Sequence, residues 1–195
     1  GLDAVFCGLP HGTTQEITAA VLAANPKIKI LDMSADFRLR DGATYAEWYG
    51  HEHQAPELQK EAVYGLTELY RKEITAARLV ACPGCYPTAT LLALVPIARA
   101  GLIHADDIIV DAKSGVTGAG RGLKQNTLFS EAGEGLSPYS IGKHRHAPEI
   151  EQEIGVAVGG RVTINFTPHL IPMARGELCT SYVKLNGATA DDLRQ

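Results

Sequence analysis

Residues 81–88 read Ala-Cys-Pro-Gly-Cys-Tyr-Pro-Thr and form the junction around which the chain is organised. The short apolar segment 78–81 predicts a strand before this stretch, and the long apolar segment 86–100 predicts a helix after it. The Pro83-Gly84 pair between them predicts a tight turn. Cys85 is therefore expected at a helix N-terminus, where unpaired backbone N–H groups and the helix dipole favour the thiolate. A thiolate in this position is suited to covalent attack on an acyl group.

The segment before this junction predicts a βαβ unit. Residues 2–9 and 28–33 predict strands, and the helix between them ends at Asn25-Pro26. Thr13-Thr14-Gln15-Glu16 fits a capping box at the start of that helix. This spacing implies a parallel sheet, in which ligands bind at the carboxyl ends of the strands. Three loops fall at such ends and are expected to line one crevice: Pro10-His11-Gly12, Ser34-Ala35-Asp36 and Pro83-Gly84-Cys85.

The pattern changes along the rest of the chain. Residues 41–69 are polar and aromatic, which predicts a long irregular segment with short helices. Farther on, three longer strands and one helix are predicted, over residues 107–112, 161–166 and 177–185 for the strands and 148–155 for the helix. The predicted fold class is α/β, with a partial Rossmann-type parallel sheet in a dinucleotide-binding domain over residues 1–85. An α+β domain over residues 86–195 is expected to serve catalysis, substrate binding and oligomerisation.

Composition excludes several classes of protein. The formal net charge is −4 and no basic run compensates it, which argues against nucleic-acid binding. No apolar stretch reaches the roughly 18 residues that a membrane span needs, and the N-terminus does not resemble a signal peptide. Four cysteines in 195 residues do not form a disulfide framework, so we expect a reducing, cytoplasmic setting.

Cysteine and histidine residues allow more than one kind of site. Cys82 and Cys85 form a C-x-x-C pair that, with His144 and His146, could bind zinc or act as a redox dithiol. The two histidines are closer together than in finger-type zinc sites, and the Pro-Gly turn favours a single nucleophile, so no metal is predicted. Histidine is a natural acid or base at neutral pH, and Arg145 between the two is suited to clamping a carboxylate or phosphate.

Residues 82–88 resemble the nucleophile motif of the arginine-pathway reductases in the semialdehyde dehydrogenase family. Further segments agree with that family in the same order: Leu9-Pro10-His11-Gly12, Asp32-Met33-Ser34-Ala35-Asp36-Phe37-Arg38, residues 114–121, residues 142–150 and residues 166–176. The resemblance covers nearly the whole chain.

The resemblance implies NADP(H)-dependent reduction of N-acetyl-gamma-glutamyl phosphate to N-acetylglutamate semialdehyde, in arginine biosynthesis. It implies a thioester on Cys85 and an acid/base histidine that is either His144 or His146, which the sequence does not separate. We assign cofactor contacts to Pro10, His11, Gly12, Ser34, Ser114, Gly115 and Gly118, although His11 could instead cap the first helix. We assign substrate contacts to Arg38, Arg121 and Arg145. A homodimer or homotetramer is expected.

Two alternatives stay open at this point. One is a related semialdehyde dehydrogenase that acts on an aspartyl or aminoadipyl-type substrate. The other is a noncatalytic, oligomerising piece of such a protein, since the first strand and glycine-rich loop of the family do not precede Gly1 and the family's C-terminal end is also absent.

The chain as given is accordingly expected to bind NADP(H) weakly and to show little or no reductase activity. Dinucleotide affinity in this fold depends on the first strand, its glycine loop and the following helix N-terminus. Calorimetric titration with NADPH measures this directly. Tight, stoichiometric binding would mean that the cofactor contacts lie elsewhere in the chain.

Overall fold

The computed structural model describes residues 1–194, which form two compact units, residues 1–84 and a second unit that begins at Cys85. The first unit contains a parallel sheet and the second a mixed sheet, each with helices. The predicted α/β class is therefore confirmed. Within residues 1–194, no helix is both long and apolar enough to cross a membrane.

The first unit has the predicted βαβ start. Its elements are β1 (Ala4–Cys7), α1 (Thr14–Ala24), β2 (Lys29–Asp32), α2 (Gly42–Tyr49), α3 (Pro56–Glu61), β3 (Val63–Tyr64), α4 (Thr67–Ala76) and β4 (Leu79–Ala81). The strand order is β1-β2-β4-β3 and every pairing is parallel. Buried apolar side chains of α1, β2 and β4 form the core beneath the sheet, among them Leu22, Ile30 and Leu79.

The predicted capping box of α1 is wrong, because a distant carboxylate caps this helix. The Thr13 hydroxyl turns backwards and donates to the Pro10 carbonyl at 2.6 Å, and it caps nothing in the helix. The buried Asp36 carboxylate instead accepts hydrogen bonds from the backbone N–H of Gly12 at 2.6 Å and of Thr14 at 3.1 Å. It also accepts the Thr14 hydroxyl at 2.7 Å. Asp36 thus ties the loop after β1 to the loop after β2.

Up to residue 194, the second unit combines a mixed sheet with three α-helices. Its elements are α5 (Cys85–Arg99), β5 (Ile108–Gly115), α6 (Phe129–Ala132), β6 (Ser137–Pro138), α7 (His146–Val158), β7 (Ile164–Ile171) and β8 (Glu177–Tyr182). The strand order is β6-β7-β5-β8, with β5 parallel to β7 and the outer pairs antiparallel. The prediction ended β7 too early, at Phe166. The strand in fact continues through Pro168 to Ile171.

The two faces of this sheet differ. On one face, Ile108, Val110 and Ala112 of β5 are fully buried. Helices α5 and α7 pack together and against the sheet. On the other face, the exposed residues include Ile109 and its antiparallel register partner Tyr182. The sheet is therefore covered on one side and partly apolar on its open side.

We expect Asp36→Ala to lower the free energy of unfolding by about 2–3 kcal/mol, because it leaves two backbone N–H groups and a buried hydroxyl without their acceptor. Asp41→Ala is the matched control. Asp41 is an exposed, purely local N-cap that accepts the Thr44 N–H at 2.8 Å, so its loss should cost about 1 kcal/mol. Urea denaturation measures both values, and equal losses would contradict the long-range cap.

Candidate active site

The thiol of Cys85 lies at the first residue of α5, as the sequence predicted. The backbone N–H groups of Cys85 and Tyr86 point at the sulfur and lower the pKa of the thiol. These are the unpaired amides of the helix start, acting in the expected direction.

Two stronger effects act in the opposite direction. Although the residue as a whole is exposed, surrounding protein atoms desolvate its sulfur, and the carboxylate of Glu177 lies close to the thiol. Desolvation, together with the negative charge of Glu177, raises the pKa of Cys85 to about 12. The thiolate expected from the helix terminus alone is therefore absent at neutral pH, and Cys85 carries its proton.

Glu177 reaches Cys85 because of how β8 pairs with β5. It is the first residue of β8 and stands opposite Ser114, near the end of β5. Burial raises the pKa of its carboxyl group. Within the part of the chain that the structure describes, its Oε1 is buried and receives no well-formed hydrogen bond.

The two predicted histidines lie around Tyr86, the neighbour of Cys85. The Tyr86 ring makes edge contacts with His144 at 5.7 Å and His146 at 5.9 Å between ring centroids. Tyr139 and Phe166 pack on His144 at 5.5 and 5.2 Å. The Tyr139 hydroxyl donates to the Tyr86 hydroxyl at 3.2 Å. The second unit thus brings the thiol and both imidazoles to one cluster of aromatic rings.

The protonation state of His144 follows from its surroundings. Burial, with a contribution from the positive charge of Arg145, lowers the pKa of His144 to about 4. Its Nδ1 accepts the backbone N–H of His146 at 3.2 Å. A neutral ring that accepts at Nδ1 carries its proton on Nε2. His144 is therefore a neutral hydrogen-bond donor at physiological pH.

The glycine-containing segment that begins with Ser114 and Gly115, the last two residues of β5, reaches this cluster. Ser114 is buried, its hydroxyl donates to the Gly115 carbonyl at 2.9 Å, and its side chain lies close enough to Tyr86 to affect the pKa of that phenol. A side chain at Gly115 would come within 2.7 Å of the Arg175 backbone, and at Gly118 within 2.9 Å of the Ser114 hydroxyl. Both positions therefore require glycine for close packing. Arg121 and Arg145 are exposed, and their substrate role stays a prediction.

The predicted cofactor residues of the first unit also lie together. The His11 Nδ1 accepts the Ala35 N–H at 2.9 Å, which joins the Pro10-His11-Gly12 loop to the loop after β2. Pro10, His11 and Gly12 are exposed. Ser34 is buried, and its hydroxyl donates to the Asp32 carboxylate at 2.8 Å. It therefore stabilises the loops after β1 and β2 from their buried side. The wider crevice that was expected to include Cys85 stays a prediction.

Arg38 has a structural position within the same unit. The residue is buried, and its guanidinium donates to the carbonyls of Cys82 at 2.7 Å and Met33 at 3.1 Å. These bonds connect the ends of β2 and β4. A substrate contact by Arg38 stays a prediction.

Among residues 1–194, no three His, Cys, Asp or Glu side chains are grouped as a metal site. Cys82 and Cys85 are both free thiols.

Sequence reasoning missed Glu177 and Tyr139. Neither belongs to a local motif: Glu177 reaches the thiol only through the β5–β8 register, and Tyr139 follows the two-residue strand β6. The run of Arg175, Gly176 and Glu177 at a strand start was the available signal, and it is too common to identify a site.

Two family models together match nearly the whole chain. Residues 1–77 match "Semialdehyde dehydrogenase, NAD binding domain", and residues 85–195 match "Semialdehyde dehydrogenase, dimerisation domain".

Several known proteins are similar to the chain. A protein from Afipia carboxidovorans named N-acetyl-gamma-glutamyl-phosphate reductase is 54% identical, over 100% of this chain and 55% of its own length. A probable chloroplastic protein of the same name from Oryza sativa subsp. japonica is 59% identical, over 100% of this chain and 46% of its own length. The chain thus spans about half the length of these curated relatives.

The fold is also found among solved structures. The crystal structure of aspartate semialdehyde dehydrogenase with NADP from Candida albicans matches with a TM-score of 0.59. That match has 10% sequence identity and covers 98% of this chain and 54% of the other. At this identity the likeness shows the fold alone.

Proposed function

Because the chain belongs to the semialdehyde dehydrogenase family, we propose that the complete gene product is an NADP-dependent reductase of N-acetyl-gamma-glutamyl phosphate in arginine biosynthesis. The observation that carries this proposal is the cysteine thiol at the first residue of α5, near a half-buried carboxylate and two imidazoles. The identities of 54% and 59% to relatives of that name favour this substrate over an aspartyl or aminoadipyl-type one.

In the proposed reaction, the Cys85 sulfur attacks the acyl carbon of the substrate. A carbon–sulfur bond forms, the carbon–oxygen bond to phosphate breaks, and phosphate leaves with the electron pair. The backbone N–H groups at the start of α5 are placed to stabilise negative charge on the carbonyl oxygen. After reduction, the hemithioacetal on Cys85 releases N-acetylglutamate semialdehyde and restores the free thiol.

In the proposed reaction, His144 acts as a hydrogen-bond donor. Its ring is neutral and carries the proton on Nε2, so it can donate a hydrogen bond to the oxygen that becomes negative in each step. The acid/base assignment between His144 and His146 stays part of the proposal.

We assign the nicotinamide cofactor to the first unit and catalysis, substrate binding and oligomerisation to the second. NADPH, when bound, supplies the hydride that reduces the thioester carbonyl. The residues of the first unit fit this group: the Pro10-His11-Gly12 loop is exposed at the carboxyl end of β1, and Gly12 has a φ of 85° that suits close backbone approach. Ser34 and Asp36, which are both buried, would fix the position of this loop.

The open face of the second sheet supports association with a second copy of the chain. Leu178 and Tyr182 of β8 are 61% and 55% exposed and share this face with Ile109. Exposed apolar surface of this kind marks interaction sites. The family model that matches this region is named for dimerisation. We therefore propose a homo-oligomer, a dimer or tetramer, built through this face.

The proposed substrate is a small acyl phosphate, and the proposed location is a reducing compartment such as the cytoplasm. The four free thiols support a reducing setting. The rice relative is named as chloroplastic.

Cys85→Ser should lower reductase turnover of the complete gene product by roughly three orders of magnitude, because the sulfur forms the covalent intermediate. Cys82→Ser is the matched control and should keep most of the activity, since Cys82 contributes its backbone carbonyl to Arg38. Turnover is measured as the rate of NADPH oxidation. Aspartyl and aminoadipyl phosphates are tested in the same assay as alternative substrates. Equal losses in both variants, or bound zinc in elemental analysis, would contradict a single nucleophile.

Tyr182→Lys should shift the protein towards the monomer, because it would place a charge in the proposed apolar contact. Val156→Lys is the control: Val156 is equally exposed, at 54%, but lies on α7, which packs with α5 on the covered side. Light scattering after size-exclusion chromatography gives the mass of both variants. An unchanged mass for Tyr182→Lys would refute the β5–β8 face as the interface.

A further inference from the structure

Four buried side chains form a chain of oxygen atoms between β2, the loop that follows it and the start of α1. Asp32 ends β2, Ser34 and Asp36 lie in the loop, and Thr14 is the first residue of α1. Each of the four is 0–1% exposed. Asp32 Oδ2 lies 2.8 Å from Ser34 Oγ. Thr14 Oγ1 lies 2.7 Å from both Ser34 Oγ and Asp36 Oδ2. All three contacts have the length of O–H···O hydrogen bonds.

This chain of oxygens is one proton short when both carboxyl groups are ionised. Each of the three contacts needs one proton, and the hydroxyls of Ser34 and Thr14 supply one each. With both carboxyl groups ionised, Ser34 donates to Asp32 and Thr14 donates to Asp36. The two hydroxyl oxygens then face each other at 2.7 Å with no proton between them.

One added proton completes the chain when it sits on Asp32. Asp32 then donates to Ser34, Ser34 turns its own proton to Thr14, and Thr14 keeps its hydrogen bond to Asp36. The contact between Asp32 and Ser34 keeps its length and reverses its direction. Ser34 Oγ uses its full capacity in this state, because it donates once and accepts from Asp32 and from the Asp36 N–H at 3.1 Å.

The backbone around the two carboxyl groups places the negative charge on Asp36 and the proton on Asp32. The Asp36 carboxylate accepts the N–H groups of Gly12 and Thr14, whereas the Asp32 carboxyl accepts that of Ser34 at 2.9 Å. Burial is the largest effect on Asp32 and raises its pKa, and the negative charge of Asp36 acts in the same direction.

Other polar groups packed around this chain are engaged elsewhere. The Tyr45 hydroxyl of α2 lies 3.4 Å from Asp36 Oδ1, the carboxylate oxygen that does not contact Thr14. The His53 ring meets the backbone at both nitrogens, since Nε2 donates to the Asp36 carbonyl at 2.8 Å and Nδ1 accepts an N–H at 3.0 Å. His11 also uses its Nδ1 to accept a backbone N–H.

Two thiols and a guanidinium lie near the chain as well. Burial raises the pKa of Cys7 on β1 and of Cys82 after β4, so both keep their protons at neutral pH. The Arg38 guanidinium donates to the carbonyls of Cys82 and Met33. The missing proton between the two hydroxyls is therefore best supplied from within the chain, by Asp32.

We propose that Asp32 holds a proton at neutral pH, and that this proton makes the four side chains a pH-sensitive link between the loop after β2 and the start of α1. When Asp32 loses the proton to water, Ser34 turns back to Asp32 and its bond to Thr14 is lost. Two carboxylates and two facing hydroxyl oxygens then repel one another. The Pro10-His11-Gly12 loop, which Asp36 holds through the Gly12 N–H, is fixed less firmly in that state.

Carbon-13 NMR of aspartate-labelled protein tests the protonation directly. The chemical shift of the Asp32 carboxyl carbon is followed against pH in the complete gene product, and Asp32→Asn identifies this resonance by its absence. We expect the shift of a neutral acid at neutral pH, with a change only at higher pH. A resonance that titrates in acid and is that of a carboxylate at neutral pH would overturn the proposal.

The same proton should appear in the stability of the fold. The pKa of Asp32 in the folded protein lies above its ordinary value of 3.8, so the folded state holds a proton that the unfolded state releases. Its contribution to stability is complete below the ordinary value and is lost as the pH rises towards the folded-state value. The ratio of the unfolding constants, wild type over Asp32→Asn, should therefore rise about tenfold per pH unit between about pH 5 and about pH 7.

Asp36→Asn is the matched control. Asparagine at position 32 imitates the neutral acid, because its amide group donates to Ser34 Oγ and its carbonyl accepts the Ser34 N–H. At position 36 the amide group would face the N–H of Gly12 or of Thr14 in either orientation, so this variant should be destabilised at every pH. Urea denaturation gives the unfolding constants. Equal destabilisation of both variants, or a ratio of wild type to Asp32→Asn that does not change with pH, would contradict a neutral Asp32.

The effect on cofactor binding rests on the proposed function. The KM for NADPH should rise with pH in the wild type, as the Pro10-His11-Gly12 loop loses its fixed position, and it should rise less in Asp32→Asn. Identical KM profiles in the two proteins would overturn the link between the proton and the loop. The NMR and denaturation measurements need neither NADPH nor acyl phosphate. Absence of turnover in the wild type would therefore refute the proposed function, while these two measurements would still decide the protonation of Asp32.

Discussion

The antiparallel pairing of β8 with β5 is the constraint on which the site of the second unit depends. It sets Glu177 opposite Ser114, and these two residues interact with Cys85 and Tyr86 at the start of α5. The crossing is close enough that Gly115 donates its N–H to the Gly176 carbonyl at 2.9 Å and has no room for a Cβ. A backbone contact between two strands therefore determines the electrostatics of a thiol on a helix.

That thiol shows which of two opposing effects is the larger. Helix-terminal amides lower its pKa, as they do in many reactive cysteines, yet desolvation and a neighbouring carboxylate raise it further than the amides lower it. A helix N-terminus by itself therefore does not define a thiolate. The charge state depends on what the rest of the fold places within hydrogen-bond distance of the sulfur.

The features that were predictable from the sequence are those encoded locally. The helix that follows Pro83-Gly84 and the βαβ start are both present, because apolar periodicity determines them. The cap on α1 was mispredicted because Asp36 competes from more than twenty residues away. The end of β7 was misplaced at Phe166, although the strand continues through Pro168 to Ile171. Glu177 was missed because strand register is not visible in local sequence.

The protonated resting state of Cys85 affects how readily this thiol is oxidised. Peroxides and adventitious electrophiles react with thiolates far faster than with thiols. A cysteine with a pKa of about 12 is almost entirely thiol in the cell, even though the residue is exposed. Desolvation, together with the carboxylate beside it, therefore protects the sulfur from oxidation to sulfenic acid by keeping the thiol protonated. A thiol in this state can stay accessible and still resist oxidation.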